Sequence, residues 1–177
     1  LTEKQETVKE ALRLIDSKFM DISFVRDERE DYRRYPDRSL TRTAKIKLEG
    51  QPMPVPLGSM GDGMLRVLQI TLKIFAARGG LLLIDEFENG LHYSVQEKIW
   101  TLIFQLAEQL DIQVFATTHS WDCIESFAKV AVAQQGSEGV LFRMGRSART
   151  SDHGKVIATV FDENQLLNIT QADVEVR

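Results

Sequence analysis

The sequence predicts an α/β domain in which helices flank a parallel sheet, and three observations carry that expectation. From residue 62 onward, helix-like and strand-like segments alternate, the order that builds parallel sheets. Two short strands in that half, Leu81–Ile84 and Gln113–Thr117, lack the polar alternation of a half-exposed sheet and so predict burial on both faces. The composition, 43% hydrophobic and 27% charged over 177 residues, is that of an ordinary globular protein. The length suits one domain, with a helix-and-hairpin region over 1–55 and a core over 56–177.

Thr2 to Ser17 predicts an amphipathic helix: Thr2 and Gln5 have capping-box spacing, and Val8, Ala11, Leu12 and Ile15 share one face. Phe19 to Val25 is rich in aromatic and β-branched residues and predicts a strand. Arg26 to Arg38 carries five acidic and five basic residues, the mark of a solvated tip. Its Tyr32 and Tyr35 allow a second reading, contact with nucleic acid by charge and stacking. Leu40 to Leu48 alternates and predicts a strand whose inward face the pattern leaves open. Gly50 to Gly58 holds three of the four prolines and predicts a loop.

Asp62 to Ala77 predicts a helix with Leu65, Leu68, Leu72 and Phe75 along its stripe. Helices over Ser94–Leu110 and Ser120–Lys129 follow the two apolar strands, with Trp100 and Phe104 expected in the core. Val140–Met144 and Val156–Phe161 predict two further strands, and Asp162 caps a short last helix.

Several function classes are excluded or disfavoured. The net charge of −4, from 22 basic and 26 acidic residues, gives no overall field toward nucleic acid or anionic lipid, though a local basic patch stays open. Cys123 is the single cysteine, so neither an internal disulfide nor a cysteine metal site is available. The longest aliphatic run, Leu81–Ile84, is far short of the roughly 20 residues of a membrane span. No basic-then-apolar leader precedes it, and the expected location is the cytoplasm. Absence of an initiator Met suggests a start inside a longer or processed chain.

The strongest chemical signal is Leu81-Leu82-Leu83-Ile84-Asp85-Glu86. It puts two carboxylates at the C-terminal tip of a buried strand, where parallel sheets bind ligands. It resembles the Walker B arrangement of P-loop ATPases, in which the first acid holds Mg²⁺ and the second orients and deprotonates a water, and taken alone a strand ending in a polar loop accounts for it equally well. Glu88-Asn89-Gly90-Leu91-His92 follows directly. Some 30 residues later Val114-Phe115-Ala116-Thr117-Thr118 ends in His119-Ser120. Upstream, Leu57-Gly58-Ser59-Met60-Gly61-Asp62-Gly63 precedes a helix whose N-terminal amides, with Ser59, suit an anion. Taken alone, that segment is better accounted for by an ordinary helix start capped by Ser59 or Asp62.

Taken in order, these segments resemble the signature, Walker B, D-loop and switch-histidine elements of ABC-type ATPases. The likeness runs over roughly residues 56–127 and is nearest to the AAA-type ATPases related to the SMC, double-strand-break-repair and OLD groups. It implies a P-loop NTPase-like fold and ATP and Mg²⁺ as cofactors. It also implies Asp85 for the metal, Glu86 as catalytic base and His119 as the switch residue. Ser59, Gly61 and Asp62 would be signature contacts to phosphate, with Asn89 and Gly90 in the D-loop. The signature departs from the usual pattern at Gly58, Met60 and Asp62.

No G-x-x-x-x-G-K-[ST] loop occurs; Gly154-Lys155 fails at both ends. The implied partners are therefore a Walker A segment N-terminal to these motifs, a second copy across an ATP-sandwiched interface, and DNA or an effector protein, in DNA repair or phage defence. Two alternatives remain. One is a metal-dependent nuclease using Asp85, Glu86, Glu88 and His92, and the other is a non-catalytic interaction module that keeps the fold.

Overall fold

The structure, a computed structural model, describes residues 3–26, 42–134 and 138–171. The charged segment around Tyr32 and Tyr35, residues 40–41 and the Thr2 cap lie outside them. Two compact units divide the chain, Leu1–Ala76 and Ala77–Arg177.

In the first unit, α1 (Glu3–Arg13) leads to an antiparallel sheet of β1 (Phe19–Arg26), β2 (Arg42–Leu48) and β3 (Val55–Pro56), followed by α2 (Asp62–Ala76). The first helix is shorter than its pattern predicts. Asp16 stops it: its carbonyl accepts from Phe19 N–H (2.9 Å) and its carboxylate from Lys18 N–H (2.9 Å), a local turn that competes with the helix. The open question on β2 is answered by Ile46, which is fully buried. Residues 50–58 are not entirely loop. Val55 and Pro56 pair with Ile46 and Lys45 at the sheet edge, a place where proline costs no ladder bond. A 3-10 turn over Leu57–Met60 follows.

The face of α2 also differs from the expected stripe. Met64, Val67, Leu68, Ile70, Thr71 and Ile74 are buried, whereas Leu65 and Leu72 are 39% and 48% exposed. The helix is apolar on most sides, so two stripes of helical spacing compete and packing selects between them.

The second unit contains β4 (Leu81–Ile84), α3 (Tyr93–Leu110), β5 (Gln113–Ala116), α4 (Trp121–Ala133), β6 (Val140–Arg146), β7 (Val156–Asp162) and α5 (Glu163–Gln171). β4 and β5 pair in parallel, Leu81 opposite Gln113 through Ile84 opposite Ala116. Burial of these strands on both faces is not observed. Leu82 and Ile84 are buried, but Leu81, Leu83 and Phe115 are 52%, 69% and 48% exposed on the other face. An apolar run allows both faces to be covered without requiring it. β6 and β7 form an antiparallel ribbon. Its base, Leu141 and Phe161, packs on Ile124, Ala128 and Leu166 of α4 and α5. Asp162 caps α5 as expected, accepting from Gln165 N–H (2.8 Å) while the Gln165 side chain accepts from Asp162 N–H (3.2 Å), a reciprocal capping box.

The selected face of α2 is testable in urea. Ile74→Ala should lower the unfolding free energy by about 2–5 kcal/mol. Leu72→Ala should change it by less than about 1 kcal/mol, and equal losses would return the buried stripe to Leu72.

Candidate nucleotide site at the strand tips

The second unit gathers Asp85, Glu86, Glu88, Asn89 and His119 around the C-terminal ends of β4 and β5. Beyond the last paired residues the ladder continues: Thr117 N–H donates to the Ile84 carbonyl (2.9 Å) and Phe87 N–H to the Thr117 carbonyl (2.9 Å). The Thr117 hydroxyl then joins the two acids. It donates to Asp85 Oδ1 (2.5 Å) and accepts from Glu86 N–H (2.9 Å). One side chain thus sets the carboxylate of residue 85 and the backbone of residue 86.

Glu86 has φ of 46°, a left-handed conformation that costs a non-glycine residue roughly 1–2 kcal/mol and gathers at functional sites. The strain is held from both sides. Phe87, next in sequence, is fully buried and stacks on Trp100 (centroids 3.8 Å, 11° between planes), which meets Phe127 edge-on at 5.2 Å. Downstream, Asn89 N–H donates to the Glu86 carbonyl (3.0 Å) and its amide reaches Glu86 Oε2 (3.4 Å). Gly90, at φ of 76°, closes the turn in a conformation that suits glycine.

Glu88 crosses to the second strand. Its Oε1 accepts from His119 N–H at 2.8 Å. Burial pushes the Glu88 carboxyl up, but the His119 amide, the Thr118 hydroxyl and the charge of His119 together hold it below its ordinary value. His119 itself is exposed. Ser120 caps α4, accepting from Cys123 N–H (3.4 Å). Cys123 is buried, and desolvation pushes its thiol up to about 11, which leaves it inert as a nucleophile. His92 is occupied as the α3 cap: Ser94 N–H and hydroxyl lie 3.4 Å and 2.9 Å from its Nδ1.

Ser59, Gly61 and Asp62 belong to the first unit, away in sequence from this cluster. The Ser59 hydroxyl donates to the Pro56 carbonyl (2.6 Å), so contact with a phosphate would require it to exchange that partner. Gly61, at φ 81° and ψ 169°, occupies a region essentially reserved for glycine. Asp62 opens α2. Sequence reasoning gave no role to Thr117, Phe87 or the Glu88–His119 bond. The available signal was the doubled threonine before His119 and the lone aromatic among carboxylates.

Because Glu88 is held low in the folded state, its contribution is present above the unfolded carboxyl pKa and is lost as pH falls through the folded value. The melting temperature of the wild type should therefore drop more steeply below about pH 5 than that of Glu88→Gln. Parallel profiles in a thermal-melt series would remove Glu88 from this role.

Residues 5–122 match the family described as “AAA domain, putative AbiEii toxin, Type IV TA system”. An ATP/GTP phosphatase of Helicobacter pylori is 34% identical over 89 residues, which are 49% of this chain and 24% of that protein. The chain thus spans about a quarter of that relative. An uncharacterized protein of Methanocaldococcus jannaschii is also 34% identical, over 87 residues covering 49% of this chain and 75% of its own length. Among solved structures, one from a study of ATP-driven dimerization and DNA-stimulated activation of SMC ATPases superposes with a TM-score of 0.58 at 11% identity, covering 97% of this chain and 91% of that chain. An Smc head bound to the C-winged helix domain of ScpA gives 0.54 at 13% identity, over 90% and 42%. The fold is accordingly that of SMC heads, P-loop NTPase-like, and with the match running over more than half its length the chain belongs to this AAA-domain family.

Proposed function

We propose that the chain forms one half of a composite ATP-hydrolysing site. The observation that carries this reading is the clamp at the strand tips, where Thr117 fixes Asp85 and Glu86 side by side while Glu88 ties down the backbone of His119. Hydrolysis of a phosphoanhydride needs this set: a carboxylate for a hard cation, a second carboxylate beside it for a water, and a donor near the transferred phosphoryl.

The donor chemistry fits Mg²⁺, which prefers a carboxylate and neutral oxygens; Asp85 would hold it, with the Thr117 hydroxyl adjacent. Bound Mg²⁺ and ATP would supply charge neutralisation and the scissile bond. Glu86 accepts the proton of the attacking water, through a carboxylate that the Asn89 amide reaches at 3.4 Å. His119 donates to a γ-phosphate oxygen through its exposed ring. Asn89 and Gly90 shape the turn beside Glu86. Ser59, Gly61 and Asp62 serve the nucleotide of a second copy, so that ATP closes a homodimer and hydrolysis opens it.

The β- and γ-phosphates also need a glycine-rich loop that residues 1–177 do not encode, and a Walker A segment completes the site. The output is gating of an attached effector, in DNA repair or phage defence, within the cytoplasm. No described helix is long and apolar enough to cross a membrane. The nuclease alternative gains nothing from the geometry, since no group of three or more His, Cys, Asp or Glu side chains converges for a metal among the described residues.

In the protein completed by its Walker A segment, Glu86→Gln should leave ATP affinity within about threefold and cut phosphate release about 10²–10⁴-fold, as general-base loss does. Turnover at the wild-type rate would show that Glu86 is not the base. Turnover absent from the unaltered protein, despite nucleotide binding, would instead favour the interaction module. Ser59→Arg should spare ATP binding by the monomer and abolish ATP-driven dimer formation in sedimentation; a dimer of normal stability would take Ser59 out of the interface.

A further inference from the structure

We propose that the free end of the β6–β7 ribbon binds duplex nucleic acid, its cationic side chains contacting phosphates on both walls of one groove. This goes beyond the nucleotide site and does not depend on it. Residues 143–155 contain Arg143, Arg146, Arg149 and Lys155 against one acid, Asp152, a local charge of +3 in a chain of net charge −4. All four cations are exposed. Among the described residues the ion pairs are Lys9–Asp21, Arg13–Glu6 and Lys129–Glu125, and none of them neutralises the ribbon.

The placement of the charge matters more than its sum. Beyond the packed base at Leu141 and Phe161, every residue of Phe142–Arg146 and Val156–Val160 is exposed. Strand alternation puts Arg143 and Arg146 on opposite faces, and their partners across the ladder are Thr159 and Val156, toward the turn. The turn that carries Arg149 and Lys155 is ordered: Ser147 N–H donates to the Lys155 carbonyl (2.8 Å), Arg149 N–H to Ser147 Oγ (3.2 Å) and His153 N–H to the Thr150 carbonyl (3.3 Å). Gly154 takes φ of 76°, and a Cβ there would sit 3.3 Å from Arg146 Nη1, so the glycine lets the guanidinium lie against the turn.

An acidic protein surface would engage one face of such a ribbon and leave the cation on the other face idle. A duplex groove presents phosphates on both sides, and the major groove is wide enough for a two-stranded ribbon. Met144 and Val156, on the Arg146 face, are apolar surface that base edges such as the thymine methyl accept. The phosphate contacts position the protein without reading sequence and weaken steeply with salt.

The test is fluorescence anisotropy of a labelled mixed-sequence duplex of about 20 base pairs titrated with the chain, from about 50 to 200 mM salt. Binding should weaken with a log–log salt slope of about −3 to −4, as expected for up to four phosphate contacts. Arg143→Ala and Arg146→Ala should each lower the affinity and reduce the slope by about 1, with circular dichroism unchanged because both side chains are exposed. A single strand of equal length should bind several-fold more weakly. The proposal is overturned by no anisotropy change at the lowest salt, or by undiminished binding of Arg143→Glu/Arg146→Glu. It also fails if polyglutamate of equal charge competes as well as duplex, which would mark an acidic protein partner.

Discussion

The hydroxyl of Thr117 is the point on which the strand-tip cluster depends. It bonds both the Asp85 side chain and the Glu86 backbone, and it sits one residue past the last ladder pair of β5. Asp85 and Glu86 follow each other at the tip of β4, and this one hydroxyl reaches both from the neighbouring chain segment. A hydrogen bond to a carboxylate is worth of the order of 1.5–3 kcal/mol where it is sheltered from water, and less at this exposed threonine. Replacing it by a methyl group would release the aspartate and remove the acceptor for Glu86 N–H together. The energy needed to hold Glu86 in its left-handed conformation comes from this bond on one side and from the Phe87–Trp100 stack on the other.

Much of the chain was legible from the sequence, and the limits have physical causes. The order of elements after residue 62 follows from hydrophobic period, and the last cap at Asp162 follows from side-chain chemistry that acts over three residues. Such signals are local. The buried side of α2 was not legible, because its apolar residues satisfy two stripes and only tertiary packing chooses. Burial of β4 was misjudged for a related reason: an apolar run states that both faces could be covered, not that they are. In the site, Asp85, Glu86 and His119 announce themselves by residue type at strand ends. The bonds that organise them span 31 and 32 residues, and a single sequence gives no pairing information at that range.

The two units divide the candidate residues unequally. Asp85, Glu86, His119 and the turn at Asn89–Gly90 come from the second unit, Ser59, Gly61 and Asp62 from the first. The second unit alone thus carries the groups that would meet a metal and a water, and its apolar face at Leu81, Leu83 and Phe115 remains open to solvent. An exposed set of large apolar side chains on a sheet marks a place where further chain or a partner is normally laid down.

The left-handed backbone at Glu86 also governs which amino acids the position tolerates at all. Asparagine, aspartate and glycine enter that region readily, whereas β-branched residues are resisted by their own Cβ substituents. Valine or isoleucine at residue 86 would pull the Phe87 ring off Trp100 and the Glu86 amide off Thr117, deforming both strand ends. Loss of activity in such a substitution would then report a displaced backbone. Only replacements that keep the unbranched stem, glutamine foremost, separate the chemistry of the carboxylate from the conformation that presents it.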